Sequence, residues 1–128
     1  MSAISRTPTP YSYSSAVAAG DFVFLGLHRG FGPAFAEQMT DTFRHLEQTL
    51  HSHGLTLDDL VKVNVWLKDI DDLPGMERHF TDHFPPGGFP ARMTATTEFI
   101  DADCLLMIDG VAYRGRTATK GRERPGTT

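Results

Sequence analysis

The chain has 128 residues, of which 40% are hydrophobic and 22% are charged, and its net charge is -4 with a sequence pI near 5.8. This length predicts one domain, and the acidic balance disfavours nucleic acid or an anionic membrane as a partner. The single cysteine, Cys104, cannot form an intrachain disulfide, and no apolar run is long enough to span a membrane. We therefore expect a cytoplasmic protein.

The first half of the chain predicts a hairpin followed by a long helix. Residues 1–10 are polar and contain two prolines, which indicates a flexible lead-in. Strands are predicted at 11–18 and 22–27, joined by a glycine-containing turn. An amphipathic helix is predicted from Ala34, ending before Gly54. Its apolar stripe is Phe35, Met39, Phe43, Leu46 and Leu50.

In the second half, strands alternate with one more helix. Residues 60–67 are rich in valine and predict a third strand. A second helix is predicted from Asp72 up to the proline- and glycine-rich loop 85–88. A fourth strand is predicted at 89–98 and a fifth at 104–113.

The predicted order β-β-α-β-α-β-β favours an α+β fold, with both helices packed on one face of a single mixed sheet. This domain is predicted to span residues 11–115. The tail 116–128 mixes basic residues with Gly, Thr and Pro, and is predicted to be disordered. The other sheet face would carry Phe22, Phe24 and Trp66, and an uncovered apolar sheet face predicts self-association.

Arg92 is the first candidate for a functional side chain, because it stands at the entrance of the fourth strand. A guanidinium can hold a carboxylate or phosphate by two parallel hydrogen bonds. The alternative is that Arg92 pairs with a carboxylate of the protein itself. A metal site is not predicted, since His79 and His83 have i,i+4 spacing on a helix but no evident third ligand.

The segments 13–21, 37–50, 57–67 and 89–92, the last ending in the motif Pro90-Ala91-Arg92, resemble the RidA/YjgF family of reactive-intermediate deaminases. The resemblance implies a fold like that of the small trimeric chorismate mutases, and a homotrimer with pockets in clefts between subunits. It also implies hydrolysis of enamine or imine products of amino-acid dehydratases to a 2-oxo acid and ammonia, without a metal or organic cofactor. The acidic pI disfavours the ribonuclease activity attached to some relatives.

Four positions carry the implied site. By resemblance, Arg92 matches the arginine that binds the carboxylate of a small substrate. Tyr13 matches a tyrosine of the pocket, and Phe84 matches an aromatic residue of the pocket wall. Thr94 stands where the family often has a small cysteine, serine or threonine, on the same strand face as Arg92.

Some positions depart from the family pattern. Gly26-Leu27 stand where the family has Ser-Gly, and Met107 stands where the deaminating branch has the glutamate that handles the catalytic water. A thioether does not transfer a proton, so we expect a divergent member. Together, Leu27, Leu105 and Met107 predict a more apolar pocket. Glu77 occupies a helix position where the family often has asparagine, with simple solvent exposure as the alternative.

His28 and Asp109 are the candidates to replace that glutamate. His28 follows the second strand and would titrate near neutrality, while Asp109 lies two residues beyond Met107 on the same strand face. Glu98 is a third candidate, farther along the strand of Arg92. The alternatives are an exposed loop histidine and a strand-end carboxylate paired with a surface arginine. If no group replaces the glutamate, the chain would be a non-catalytic or regulatory trimer that binds small carboxylates.

Overall fold

The computed structural model describes residues 4–115, which form six strands and two α-helices. The elements are β1 (Ile4–Pro8), β2 (Ser14–Ala19), β3 (Phe22–His28), α1 (Phe35–His51), β4 (Leu60–Leu67), α2 (Leu73–His83), β5 (Ala91–Thr96) and β6 (Leu106–Tyr113). Single turns of 3-10 helix precede β4 and α2. Within residues 4–115, neither helix has the length and hydropathy needed to cross a bilayer.

All six strands belong to one sheet, in the order β1-β2-β3-β6-β4-β5. The β4–β5 pair is parallel and every other pair is antiparallel. The parallel pair is possible because α2 carries the chain back across the sheet between these two strands. The predicted α+β fold with one mixed sheet is therefore confirmed, including the hairpin formed by β2 and β3.

The N-terminal strand corrects one prediction. Residues 4–8 are not a flexible lead-in, because β1 pairs with β2 from Ile4 opposite Ala19 to Pro8 opposite Ser14. Pro8 is tolerated since it ends an edge strand, at a bulge after Thr7, where the missing N–H breaks no central ladder. The predicted disordered tail, residues 116–128, lies outside the described residues.

The hydrophobic core lies between the helices and one face of the sheet, which we call the helix face. Phe43 of α1 is fully buried and meets Phe80 of α2 edge to face, with ring centroids 5.4 Å apart. Alternate residues of β4 and β6 belong to the same buried cluster: Val63, Val65, Leu67, Leu106 and Ile108. The apolar stripe of α1 therefore packs into the core as predicted, with Phe35 at its start only partly buried.

The opposite face of the sheet carries no helix within the described chain, and we call it the open face. Phe22, Phe24 and Tyr113 are exposed there although they are large and apolar. The rings of Phe22 and Tyr113 lie 5.1 Å apart on neighbouring strands. Exposed apolar area of this kind marks an interaction surface, so self-association stays the expectation for this face.

Candidate functional site

Arg92 stands at the second position of β5, the edge strand, and its side chain lies on the helix face beside α2. Its Nη2 donates a hydrogen bond to Oε2 of Glu77 at 2.6 Å. The guanidinium carbon lies 5.0 Å from the centre of the Phe80 ring. The side chains of Arg92 and Glu77 are 25% and 52% exposed. Arg92 thus has the protein carboxylate partner foreseen as the alternative, and the pair lies at the surface.

This ion pair leaves most of the Arg92 donors free. A guanidinium carries five N–H donors, and within residues 4–115 only Nη2 has a hydrogen-bond partner. An exposed ion pair contributes only about 0–1 kcal/mol to stability. A ligand carboxylate can therefore bind the remaining N–H groups, or replace Glu77, at little cost.

The residues implied to accompany Arg92 are spread over the chain. Thr94 is half-buried and shares the helix face with Arg92. In the β4–β5 ladder Arg92 lies opposite Val63 and Thr94 opposite Val65, and both valines are buried on that face. Phe84 is buried and its ring stacks on Phe80, the ring that lies under the Arg92 guanidinium.

Tyr13 is exposed and lies just before β2, with its ring stacked on Tyr11. Three strands separate β2 from β5, so Tyr13 and Arg92 of one chain are about 19 Å apart across the sheet. One chain therefore does not bring this tyrosine to its own guanidinium.

Leu27 and Met107 line one cavity of about 360 Å³ beside the open face. The lining is mainly apolar, and Met107 lies opposite Trp66 in the β4–β6 register. The other lining residues are Thr97, Glu98, Phe99 and Ile100. The structure thus brings together the two substituted positions.

Within residues 4–115, Glu98 is the only ionisable residue that lines this cavity. It was expected on the Arg92 strand face, but β5 ends at Thr96, and Glu98 follows in the next loop. Leu105 was expected in the same pocket and does not line this cavity. Its backbone N–H instead donates to Oε1 of Gln38 at 2.9 Å.

His28 is buried on the helix face, so the alternative of an exposed loop histidine is wrong. Its Nδ1 donates to the Gly26 carbonyl at 2.6 Å, because a carbonyl can only accept. Nε2 of the neutral ring therefore accepts from the Thr49 hydroxyl at 2.8 Å. Burial lowers the pKa of His28, although the bond to Gly26 acts in the opposite direction. With both ring nitrogens occupied, His28 does not face the cavity of Met107.

The lowered pKa of His28 predicts that the free energy of unfolding falls as the pH drops below about 6.5. The unfolded chain binds a proton there that the buried ring resists, so acid favours unfolding. Thermal unfolding from about pH 7.5 to 5 should show a smaller slope for His28→Gln than for wild type. A residual slope is expected because burial also lowers the pKa of His79. His51→Gln, on the exposed last turn of α1, is the matched control. Parallel curves for wild type and His28→Gln would contradict the assignment.

Asp109 lies on the open face opposite Asn64. Its Oδ1 is buried, and no hydrogen-bond partner for it occurs within residues 4–115. The expected pairing with a surface arginine is also absent from this part of the chain. Asp109 does not line the cavity of Met107 either, so its geometry favours it less than Glu98 as a proton carrier.

The candidate residues thus form two groups. Arg92 and Thr94 lie on the helix face at one edge of the sheet, whereas Leu27 and Met107 lie on the open face. Gly26 takes part only through its backbone, as the acceptor for His28. In the described part of the chain, no three His, Cys, Asp or Glu side chains are grouped as metal ligands would be.

Sequence reasoning missed the contact between Glu77 and Arg92. One signal was available: Glu77 follows the buried Met76 and precedes the buried Phe80 by three residues, so it borders the sheet-facing side of α2. The sequence does not show that β5 places Arg92 beside this turn of α2.

The family model described as Endoribonuclease L-PSP matches residues 4–114. The chain belongs to the RidA/YjgF/RutC family. Family membership confirms the resemblance seen in the sequence, and the family includes enamine and imine deaminases.

Individual relatives agree with this assignment. A RutC family protein of Pyrococcus horikoshii is 28% identical over 118 residues, covering 85% of this chain and 93% of the relative. A 2-iminobutanoate/2-iminopropanoate deaminase of Dermatophagoides farinae is 24% identical over 107 residues, covering 77% and 83%. A solved structure of a yjgF family member from Streptococcus pyogenes M1 GAS superimposes with a TM-score of 0.80 at 32% identity, covering 88% of this chain and 98% of that one.

Proposed function

We propose that this RidA-family chain is a hydrolase that converts a small carboxylated enamine or imine into a 2-oxo acid and ammonia. The observation that carries the proposal is Arg92, whose guanidinium lies at the sheet edge with N–H groups that have no partner in the described part of the chain. A relative named 2-iminobutanoate/2-iminopropanoate deaminase supports the same substrate class. In this proposal Arg92 holds the substrate carboxylate by charge-assisted hydrogen bonds.

The proposed site lies between subunits of a homotrimer. Tyr13 cannot reach Arg92 within one chain, and the cavity of Leu27 and Met107 lies on the opposite sheet face. A second copy packed on the open face would bury the exposed rings of Phe22 and Phe24 and could bring these groups next to one another. The separation of the candidate residues in one chain supports a shared site.

The chemistry needs a held carboxylate, a water and a proton carrier. Water adds to the C=N carbon while one of its protons passes to the nitrogen, which gives a carbinolamine. The hydroxyl proton of the carbinolamine then passes to the amino group as the C–N bond breaks, leaving a 2-oxo acid and ammonia. Positioning by Arg92 can lower this barrier by several kcal/mol, with about 7 kcal/mol reached in ideal cases. We assign the proton transfer to Glu98, because the geometry of His28 and Asp109 disfavours both.

An assay with substrate made in situ tests the proposal. An amino-acid dehydratase generates 2-aminoacrylate or 2-iminobutanoate, and release of the 2-oxo acid is followed by absorbance. We expect the protein to accelerate release above the spontaneous rate. No acceleration would contradict the proposed function.

The same assay tests Glu98. Replacing Glu98 with glutamine keeps its size but removes the proton-accepting group, so we expect a rate about 10²–10⁴-fold lower. Glu37→Gln, at an exposed position in the first turn of α1, is the control and should retain the wild-type rate. An unchanged rate for Glu98→Gln would remove Glu98 from the mechanism and leave the function standing.

A further inference from the structure

The pair of Arg92 and Glu77 presents two opposite charges side by side at the protein surface. We propose that Glu77 determines ligand specificity: its carboxylate contacts the cationic nitrogen of a ligand whose own carboxylate is held by Arg92. The site would then prefer acids with a positively charged nitrogen on the carbon next to the carboxylate, such as iminium and amino acids. This inference rests on the proposed function, since it assigns a second contact to the same site.

The contacts of Arg92 leave N–H donors for the carboxylate of a ligand. Phe80 lies under the guanidinium at 5.0 Å, a cation–π contact that fixes the plane of the group. Glu77 uses one donor on Nη2, and within residues 4–115 Nε and Nη1 have no partner. A ligand carboxylate can bind there while Glu77 stays in place.

Glu77 also has a carboxylate oxygen that can accept a hydrogen bond from a ligand. Only its Oε2 is hydrogen-bonded, and Oε1 has no partner in the described part of the chain. The side chain is 52% exposed and projects from α2 beside the Arg92 edge. When the carboxylate of a ligand is bound to Arg92, a nitrogen on the neighbouring carbon would therefore lie next to the negatively charged carboxylate of Glu77.

The charge of Glu77 explains why ligands would be distinguished. A cationic nitrogen gains a charge-assisted hydrogen bond, whereas the carbonyl oxygen of a 2-oxo acid meets a group of the same polarity. A bond of this kind is expected to change affinity by about 10- to 100-fold. In a deaminase, this preference would hold the iminium substrate and release the 2-oxo acid product.

The test compares two ligands that differ only at this position, 2-aminobutanoate and 2-oxobutanoate, by calorimetric titration of the assembled protein. Wild type should bind the amino acid about 10- to 100-fold more tightly than the oxo acid. Glu77→Gln should bring the two affinities close together, and Glu77→Lys should reverse the preference. Asp82→Asn, an exposed carboxylate on the same helix, should leave the wild-type ratio unchanged.

Each outcome separates the inference from the proposed function. If Glu77→Gln and Glu77→Lys keep the wild-type ratio while Arg92→Ala abolishes binding of both acids, the inference is overturned and the proposed function stands. If Arg92→Ala binds both acids as wild type does, the proposed function fails and the role of Glu77 fails with it. A wild-type preference for the oxo acid would also overturn the inference.

Discussion

Replacing Arg92 with alanine is expected to lower kcat/KM for 2-oxo acid release by about 10²–10⁴-fold. Two hydrogen bonds to a charged carboxylate contribute about 1.5–3 kcal/mol each, and both disappear with the guanidinium. The stability of the protein should change little, because the only ion pair lost from residues 4–115 is the exposed contact with Glu77. Initial rates with imine generated in situ, together with the melting temperature, measure both effects.

Two further variants make this test specific. Arg92→Lys keeps the positive charge but loses the planar fork, so its rate should lie between those of wild type and Arg92→Ala. Arg78→Ala removes an arginine from the same side of the molecule, on α2, and should keep the wild-type rate. Equal rates for Arg92→Ala and wild type would show that the guanidinium serves only its pair with Glu77.

Replacing Phe24 with glutamate is expected to dissociate the proposed trimer and abolish activity. Phe24 is 46% exposed at the centre of the open face, opposite Val17 and Val111 on the neighbouring strands. An unpaired carboxylate buried in an apolar interface costs several kcal/mol, and closed symmetry repeats that cost at every interface. Sedimentation velocity and the imine assay on the same preparations measure the effect.

The control for this variant is Ile70→Glu, an exposed apolar residue in the 3-10 turn before α2. It adds the same charge outside the sheet, and should leave assembly and rate unchanged. A wild-type protein that sediments as a monomer would contradict the assembly. A monomeric Phe24→Glu with full activity would contradict a site shared between subunits.

Patterns along the chain predicted the elements well, because each depends on neighbouring residues. The helical spacing of Phe43 and Leu46 predicted a buried stripe, and both side chains are fully buried. The strand Ile4–Pro8 escaped prediction because its polar residues and its final proline resemble a lead-in. That segment is ordered by pairing with β2, a contact that no local pattern reveals.

His28 shows why a site is harder to predict than a strand. Simple alternation from the buried Leu25 would place Leu27 inside and His28 outside. A register shift between Leu25 and His28 reverses this order, so that Leu27 is 50% exposed and His28 only 8% exposed. One extra residue in a ladder changes which face a side chain occupies, and an isolated glycine inside a strand, here Gly26, is the sequence sign of such a bulge.

The contact between Glu77 and Arg92 depends on packing of a helix against an edge strand. The sequence identified Arg92 and gave both of its possible partners, a ligand acid or a protein carboxylate. The structure shows a protein carboxylate, that of Glu77, as the partner, and within residues 4–115 it leaves other N–H groups of Arg92 for a ligand acid.

A crystal structure of the assembled protein with 2-aminobutanoate tests the central claim most directly. We predict the ligand carboxylate at about 2.7–2.9 Å from the guanidinium nitrogens of Arg92, in a cleft that Tyr13 of the partner subunit also lines. A structure in which Arg92 contacts only Glu77, with the cleft in front of it closed and the acid bound elsewhere or absent, would contradict the account.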